Sequence, residues 1–509
     1  MASSEMQVMF FRNGAMNMAM FYSTRGAQAG VSAPEAVLRG IAPDGGLYVL
    51  KEAPQILPQD LRGMDFCALS ARILSAWLPG YTEDEIAGCV SRAYRDKFDV
   101  PEIAPLKRVG DKYVLELFHG PTAAFKDVAL SVLPQLMRCA MEKRGGNEKI
   151  MILTATSGDT GSAALTGFCD VPNIGILVFY PEVGISPIQR AQMTAAPGKN
   201  VCACAIQGNF DDAQTGVKRI FSEISPEFCE AHHLSLSSAN SINIGRLAPQ
   251  IVYYYSAYLA LVEAGAIRMG ETVDFSVPTG NFGDILAGHL ARLSGLPVGR
   301  LVCASNANNV LTDFIHTGVY DRRREFLRTI SPSMDILVSS NLERLLYLAS
   351  GCDGEVVRSM MDSLRENGCY RAPEQVMSAI RAGFDCGCAS DAEAMDAIDR
   401  VFRKTHYLMD PHTAVAWKVA EDAAALRGGS APMVVLSTAS PFKFPQSVLA
   451  ALGEADGGDA QAQLRRLERV SGAEAPRALS NALTRPARFK DVVAPENMMA
   501  YVMERAAEV

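Results

Sequence analysis

From residue 112 onward the chain repeats one pattern. A short apolar run is followed by a polar loop rich in glycine and hydroxyls, then by apolar residues spaced three or four apart. "KYVLELF" (112–118) alternates in the manner of a strand. "KIMILTA" (149–155) and "NIGILVFY" (173–180) are continuous apolar runs, as in parallel strands buried on both faces. "VDFSVP" (273–278) and "PMVVLST" (432–438) read the same way. "DVALSVLPQLMRCAMEKRGG" (127–146) sets Leu130, Leu133, Met137 and Met141 on one helical face, with Pro134 predicting a kink or an early break and Gly145-Gly146 the end. "AALTGF" (163–168) and "ILAGHLARLSG" (285–295) read as further helices, the second beginning near Asp284 or Ile285. Strand, loop and helix in alternation predict an α/β fold of mostly parallel twisted sheets with flanking helices. In such sheets ligands sit beyond the carboxyl ends of the strands, where the polar loops fall.

The rest of the chain is less patterned. Residues 21–100 carry turn residues and helical stretches such as "LRGMDFCALSARILSAWL" (61–78), and read as a smaller N-terminal domain. Residues 101–450 form the main unit, with a smaller subdomain inserted at roughly 151–240. Residues 451–509 read as a C-terminal helical extension, with an Ala/Glu/Gly-rich linker near 453–476 and a helix at "AQAQLRRLERV". The Met-rich residues 1–20 lack the basic start and apolar core of a leader and read as an extension outside the packed fold.

Composition narrows the function. At 509 residues, 49% hydrophobic and 20% charged, the chain has ample material for a core. A net charge of −8 argues against nucleic acid as a partner, since neutralising phosphates needs a basic face. No apolar stretch reaches the roughly 18 residues of a membrane span. The twelve cysteines form neither a metal nor a disulfide framework: the closest pairs, Cys202/Cys204 and Cys386/Cys388, have one intervening residue, where zinc sites usually have two or more. Reduced thiols point to the cytoplasm. Of seven histidines, His119 and His412 lie in motifs, and neither is spaced for a metal.

Three loops carry chemistry. In "PTGNFGDILAG" (278–288), Gly280 and Gly283 let the backbone approach a ligand, and the following helix offers free N–H groups and its positive end: a cup for phosphate. It lacks both the Walker pattern and the dinucleotide G-x-G-x-x-G. In "TATSGDTGSAAL" (154–165), Thr156, Ser157, Asp159 and Thr160 surround Gly158; they suit a carboxylate, or Asp159 or Thr160 simply caps a helix. "VLSTASPFKFP" (435–445) ends a strand on Ser437-Thr438, whose hydroxyls suit a ring nitrogen, with Lys443 beyond. Finally, "LELFHGPTAAFKD" (115–127) delivers Lys126 after a turn at His119–Thr122, between apolar neighbours and near a helix start. Burial and a positive helix end both favour the neutral amine, a nucleophile towards aldehydes. A reactive lysine, a phosphate cup, a carboxylate loop and a hydroxyl for a ring nitrogen together fit pyridoxal phosphate.

The chain resembles the threonine synthases, within the tryptophan-synthase-β-like class of pyridoxal phosphate enzymes. The matching segments run in order from "YSTRG" (22–26) and "GIAPDGGLYV" (40–49) through "LFHGPTAAFKD" and "TATSGDTGSAAL". They continue with "YPEVGISPIQRAQM" (180–193), "GNFDDAQTGVK" (208–218), "NSINIGRLAPQI" (240–251), "VPTGNFGDILAG" (277–288), "SPSMDILVSSNLERLL" (331–346), "DPHTAVA" (410–416) and "STASPFKFP" (437–445). The resemblance implies that Lys126 is the Schiff-base lysine. It implies that Gly280, Asn281, Phe282, Gly283 and Asp284 form the cofactor phosphate loop, and that Thr438, with Ser437 as alternative, meets the pyridine nitrogen. The loop Thr156–Thr160 would hold the substrate α-carboxylate, and Arg246 and Lys443 its phosphate. The reaction implied is that of a carbon–oxygen lyase acting on a phosphate ester: O-phospho-L-homoserine and water give L-threonine and phosphate, in a monomer or homodimer. Departures from the family pattern are Ser440 where a histidine is frequent, Phe442 where a small residue is frequent, and Pro249 inside a helix-like run. They leave open a related phospho-lyase or dehydratase giving a keto acid and ammonia. A non-catalytic protein of the same fold is the remaining alternative.

Overall fold

The computed structural model describes residues 20–26, 29–145, 148–427, 431–455 and 457–506. The extension at 1–20 therefore lies, but for Met20, outside the described residues, as does Gly146. Two sheets dominate. In the larger, the strands lie in the order Phe384–Cys388, Val298–Ser305, Val273–Pro278, Met433–Ser437, Lys112–Glu116 and Leu106–Val109. All neighbours are parallel except the last pair, which is antiparallel. The smaller sheet is wholly parallel, in the order Val492–Val493, Val201–Ile206, Ile174–Pro181, Lys149–Ala155 and Leu234–Ser237.

The continuous apolar runs are buried strands, as expected: Ile174–Pro181 and Val273–Pro278 are buried at every position. The cysteine pairs are explained by the same geometry. Cys202/Cys204 and Cys386/Cys388 each lie within one strand, where residues two apart share a face. All twelve cysteines are free thiols. The strand at Val492–Val493 brings the C-terminal segment back to the smaller sheet; the extension also holds the helices Ala460–Ser471, Arg477–Thr484 and Met498–Ala506.

The N-terminal region pairs Phe21–Ser23 with Tyr48–Leu50 and packs helices Ala33–Arg39 and Glu83–Tyr94 against the helix Lys126–Arg144. The apolar stretch at 61–78 begins its helix only at Phe66, because the Asp65 carboxylate caps the Ala68 N–H at 2.8 Å.

Lys126–Arg144 decides one of the two outcomes expected at Pro134. The helix does not break at Pro134 but runs through to Arg144, ending on Gly145. Proline cannot donate to the carbonyl four residues back, and that carbonyl, Leu130 O, abuts Gly167 of the neighbouring helix, where any Cβ would collide with it. Close packing of the neighbouring helix at Gly167 therefore shields that carbonyl. Pro249 behaves differently: it sits in a 3₁₀ turn, Ala248–Gln250, joining helices Ile244–Leu247 and Ile251–Glu263.

Candidate active site

The carboxyl ends of strands from both sheets meet at one cavity of about 950 Å³. Its wall includes Lys126, Thr156–Thr160 apart from Gly158, Thr279–Asp284, Arg246 and Thr438. No helix among the described residues is long and apolar enough to cross a membrane.

Lys126 is placed by the turn before it. Asp127 organises that turn: its Oδ2 accepts the Thr122 N–H at 2.8 Å and its Oδ1 the Thr122 hydroxyl at 2.7 Å. The turn is laced to the end of the Met433–Ser437 strand, with Phe125 N–H donating to Thr438 O and Ser440 N–H to Ala123 O. Lys126 opens its helix, is 8% exposed, and lies 4.8 Å over the Phe125 ring. Its Nζ donates to Asp159 Oδ2 at 3.3 Å. Burial lowers its pKa; Asp159 opposes this, and Lys443 and Arg246 add to it.

Neither Asp159 nor Thr160 caps the helix Asp159–Gly167, which has Gly158 at its N-cap and no side-chain cap bond. Asp159 is drawn away by cations. Besides Lys126 it meets Lys443 Nζ at 2.8 Å and accepts from Gln189 Nε2 and the Ser333 hydroxyl, both at 2.8 Å. Burial works against its charge, yet Lys443 and Lys126 hold it well below the usual carboxylate range. Lys443 itself is fully buried, donates to Thr122 O at 2.8 Å, and does not line the cavity. Thr156 orders its own loop, its hydroxyl accepting the N–H groups of Gly158 and Gly161. Arg246 donates to Ala239 O at 2.7 Å and reaches the Thr160 hydroxyl at 3.4 Å. Burial pulls its pKa down to about 10.

Across the cavity, the loop after Val273–Pro278 leads into the helix Gly283–Leu293, one residue earlier than expected. Its first helical bond runs from Leu286 N–H to Phe282 O, which leaves the N–H groups of Gly283, Asp284 and Ile285 ahead of the ladder. The loop's carbonyls are tied back: Gly280 O accepts the Ser339 hydroxyl at 2.7 Å, and Asn281 O accepts both Asn341 N–H and Nδ2 at 3.0 Å. Phe282 takes a left-handed conformation (φ 62°) and buries its ring against Phe384. Gly280 is required, since a Cβ there would lie 2.9 Å from Ser333 O. Backbone donors facing a cavity, with carbonyls held away, fit the phosphate of pyridoxal phosphate. Asp284 Oδ1 accepts from Tyr253 (2.6 Å) and Tyr254 (3.0 Å), while its Oδ2 is buried without a partner. Burial, against these two bonds and Lys126, raises its pKa to about 6.

Of the two hydroxyls ending the Met433–Ser437 strand, Thr438 lines the cavity; Ser437 is sealed and accepts from Thr413. Ser440 and Phe442 are buried behind the wall. Ser440 caps the 3₁₀ turn Pro441–Lys443 by accepting the Phe442 N–H.

Two contributors escaped the sequence reading. His412 lines the cavity, with Nδ1 2.6 Å from Asp410 Oδ1 and Nε2 accepting the Ser333 N–H at 3.1 Å, which fixes the Nδ1–H tautomer. Asn341 braces the loop Gly280–Asp284. Each lies in a segment, "DPHTAVA" or "SPSMDILVSSNLERLL", whose chemistry only folding makes visible.

The comparisons with known proteins agree with this geometry. The family described as "Pyridoxal-phosphate dependent enzyme" matches residues 102–439, "Threonine synthase N terminus" matches 20–94, and "Threonine synthase, C-terminal" matches 413–502. The threonine synthase of Pseudomonas aeruginosa is 40% identical over 86% of this chain and 91% of its own length. This chain belongs to the threonine synthase family. The structure of PLP-bound threonine synthase from Brucella melitensis superposes with a TM-score of 0.85 at 39% identity, covering 96% of this chain and 99% of that one. Human threonine synthase-like 1 is 39% identical over 82% of this chain, which spans only 58% of that longer protein.

Proposed function

We propose that this member of the family converts O-phospho-L-homoserine and water to L-threonine and phosphate. The observation that carries the reading is the juxtaposition in one cavity of a buried lysine amine and a backbone phosphate cup. The human relative is longer than this chain, so the proposal rests on that site and not on total length.

When bound, pyridoxal phosphate supplies an aldehyde for Lys126 and a ring that accommodates negative charge developing on the substrate. The loop Gly280–Asp284 would hold its phosphate, and Thr438 would offer its ring nitrogen a neutral hydroxyl partner. The N–H groups and hydroxyls of Thr156–Thr160 orient the substrate α-carboxylate, and Arg246 offers charge to the substrate phosphate. Lys126 Nζ moves the protons: it takes the α proton and then a β proton, and protons return to the γ carbon, which becomes the methyl group, and at the end to the α carbon, while the remaining proton of the added water goes to the released phosphate. Asp159 steadies Nζ when it is protonated. Water adds at the β carbon once phosphate has left the γ carbon.

The test is to supply O-phospho-L-homoserine and pyridoxal phosphate and quantify phosphate and threonine together. Equal amounts are expected. Phosphate released with a keto acid and ammonia instead would make the protein a phospho-lyase. Lys126→Ala is expected to lose about 10²–10⁴-fold in turnover from acid–base catalysis alone while keeping its circular dichroism. Ready threonine formation by that variant would remove Lys126 from the mechanism.

A further inference from the structure

Lys443 is a buried cation without a carboxylate of its own. Its relative exposure is 0%, and its ammonium lies 2.8 Å from Asp159 Oδ1 and donates to Thr122 O at 2.8 Å. The other oxygen of Asp159 takes Lys126 Nζ, at the longer distance of 3.3 Å. Gln189 and Ser333 occupy the remaining acceptor positions of Asp159, so the carboxylate is fully subscribed. Arg246, bound to a backbone carbonyl and a hydroxyl, adds a third cation at the Thr160 side of the loop. Asp284 faces Lys126 from the helix Gly283–Leu293, but two tyrosines hold its Oδ1. Asp127 is turned into the Thr122 bend, and His412 onto Asp410 and Ser333.

We propose that Lys443 is a positioning residue: it claims the Asp159 carboxylate by the shorter contact, and so leaves the Lys126 amine free to react at neutral pH. This deepens the reading of Lys126 above and rests on it. Lys443 then acts through Asp159 and not on the substrate phosphate, from which its burial separates it. Like charge nearby disfavours the ammonium form of Lys126, and a shared counter-ion stabilises that form less than an exclusive one. The direction agrees with the lowered pKa of Lys126.

The step to measure is condensation. The Lys126 nitrogen attacks an aldehyde carbon, a C=N bond replaces C=O, and the oxygen leaves as water carrying both amine protons. Its rate follows the fraction of free amine. The full-length chain, stripped of cofactor, is mixed with pyridoxal phosphate or with pyridoxal, which lacks the phosphate, and the visible absorbance is followed across pH, with Lys126→Ala as the blank. In Lys443→Met the Asp159 charge serves Lys126 alone, so the rate profile should move to higher pH by about one unit, a roughly tenfold slowing at neutral pH, with both aldehydes alike. Asp159→Asn should move the profile the opposite way. It carries the test should Lys443→Met fail to fold, judged by circular dichroism. Profiles unmoved by either substitution would overturn the proposal. So would a slowing confined to pyridoxal phosphate, which would make Lys443 a phosphate ligand. Absence of condensation in the unaltered protein would instead sink the reading of Lys126, and this inference with it.

Discussion

The loop Thr279–Asp284 and the cluster around Asp159 face one cavity, yet they prepare it in different ways. The loop presents backbone N–H groups to the cavity and has no cation within its own residues; its carbonyls are tied back by Ser339 and Asn341. The Asp159 cluster works with full charges, two lysines on one carboxylate, drawn from the segments at 126, 159 and 443. A backbone cup is fixed by chain geometry and is sensitive to a single added carbon. A charge cluster is fixed by balance and is sensitive to pH and to the loss of one partner. The two walls should therefore fail differently.

The largest effect is expected where the backbone cup admits no atom. Gly280→Val places a Cβ 2.9 Å from Ser333 O, a backbone atom with little room to retreat. Overpacking of this kind costs about 1–3 kcal/mol, or roughly 5–150-fold in pyridoxal phosphate affinity if it falls on the bound state. Titration of cofactor by absorbance measures it. An unchanged affinity would mean that the loop does not hold the phosphate.

Asp284 stands at the edge of the cup, where a buried charge would break this contrast. Its folded pKa of about 6 lies above the ordinary 3.8. The folded state binds the proton more tightly, so Asp284 costs nothing at pH below about 4. It destabilises increasingly as pH rises, levelling off above about 6. A shift of about two units sets the scale at about 3 kcal/mol. Asp284→Asn should therefore gain stability relative to the unaltered protein between pH 4 and pH 8, read as the change in the difference of their melting temperatures. A constant difference would show that the carboxyl titrates normally.

The same contrast explains what the sequence disclosed. Strand, glycine loop and helix are consecutive, so "VDFSVPTGNFGDILAG" spells both the cup and its elements. Buried runs such as "KIMILTA" also became strands at their expected positions. The charge cluster is different. Nothing local to Lys443 predicts that it would be buried against Asp159, 284 residues earlier in the chain, since ion pairing of this kind follows tertiary packing. The capping reading of Asp159 failed for the same reason: two distant lysines outbid a local N–H. His412 was visible as a motif residue, but its partners Asp410 and Ser333 give it a role only once the segment at 331–335 folds over it. At Pro134 the helix continues without the early break, the freed Leu130 carbonyl packing against Gly167 of another helix, a contact no local pattern announces.

The smallest effect is expected at Ser440, where this chain departs from the family pattern. A histidine at the cavity wall would make the departure chemical; the geometry makes it a matter of capping. The Ser440 hydroxyl accepts the Phe442 N–H at 3.3 Å, and the side chain is 1% exposed and does not line the cavity. Ser440→Ala removes one cap of a turn that carries Lys443, at a cost of about 0.5–2 kcal/mol. Because Lys443 is also held by Thr122 O and Asp159, its ammonium should stay in place. The expected outcome is a lower melting temperature with kcat and KM for the phosphorylated substrate both unchanged. A fall in kcat without loss of stability would show that the hydroxyl reaches the reacting atoms, and would move Ser440 from the packing behind the wall into the chemistry in front of it.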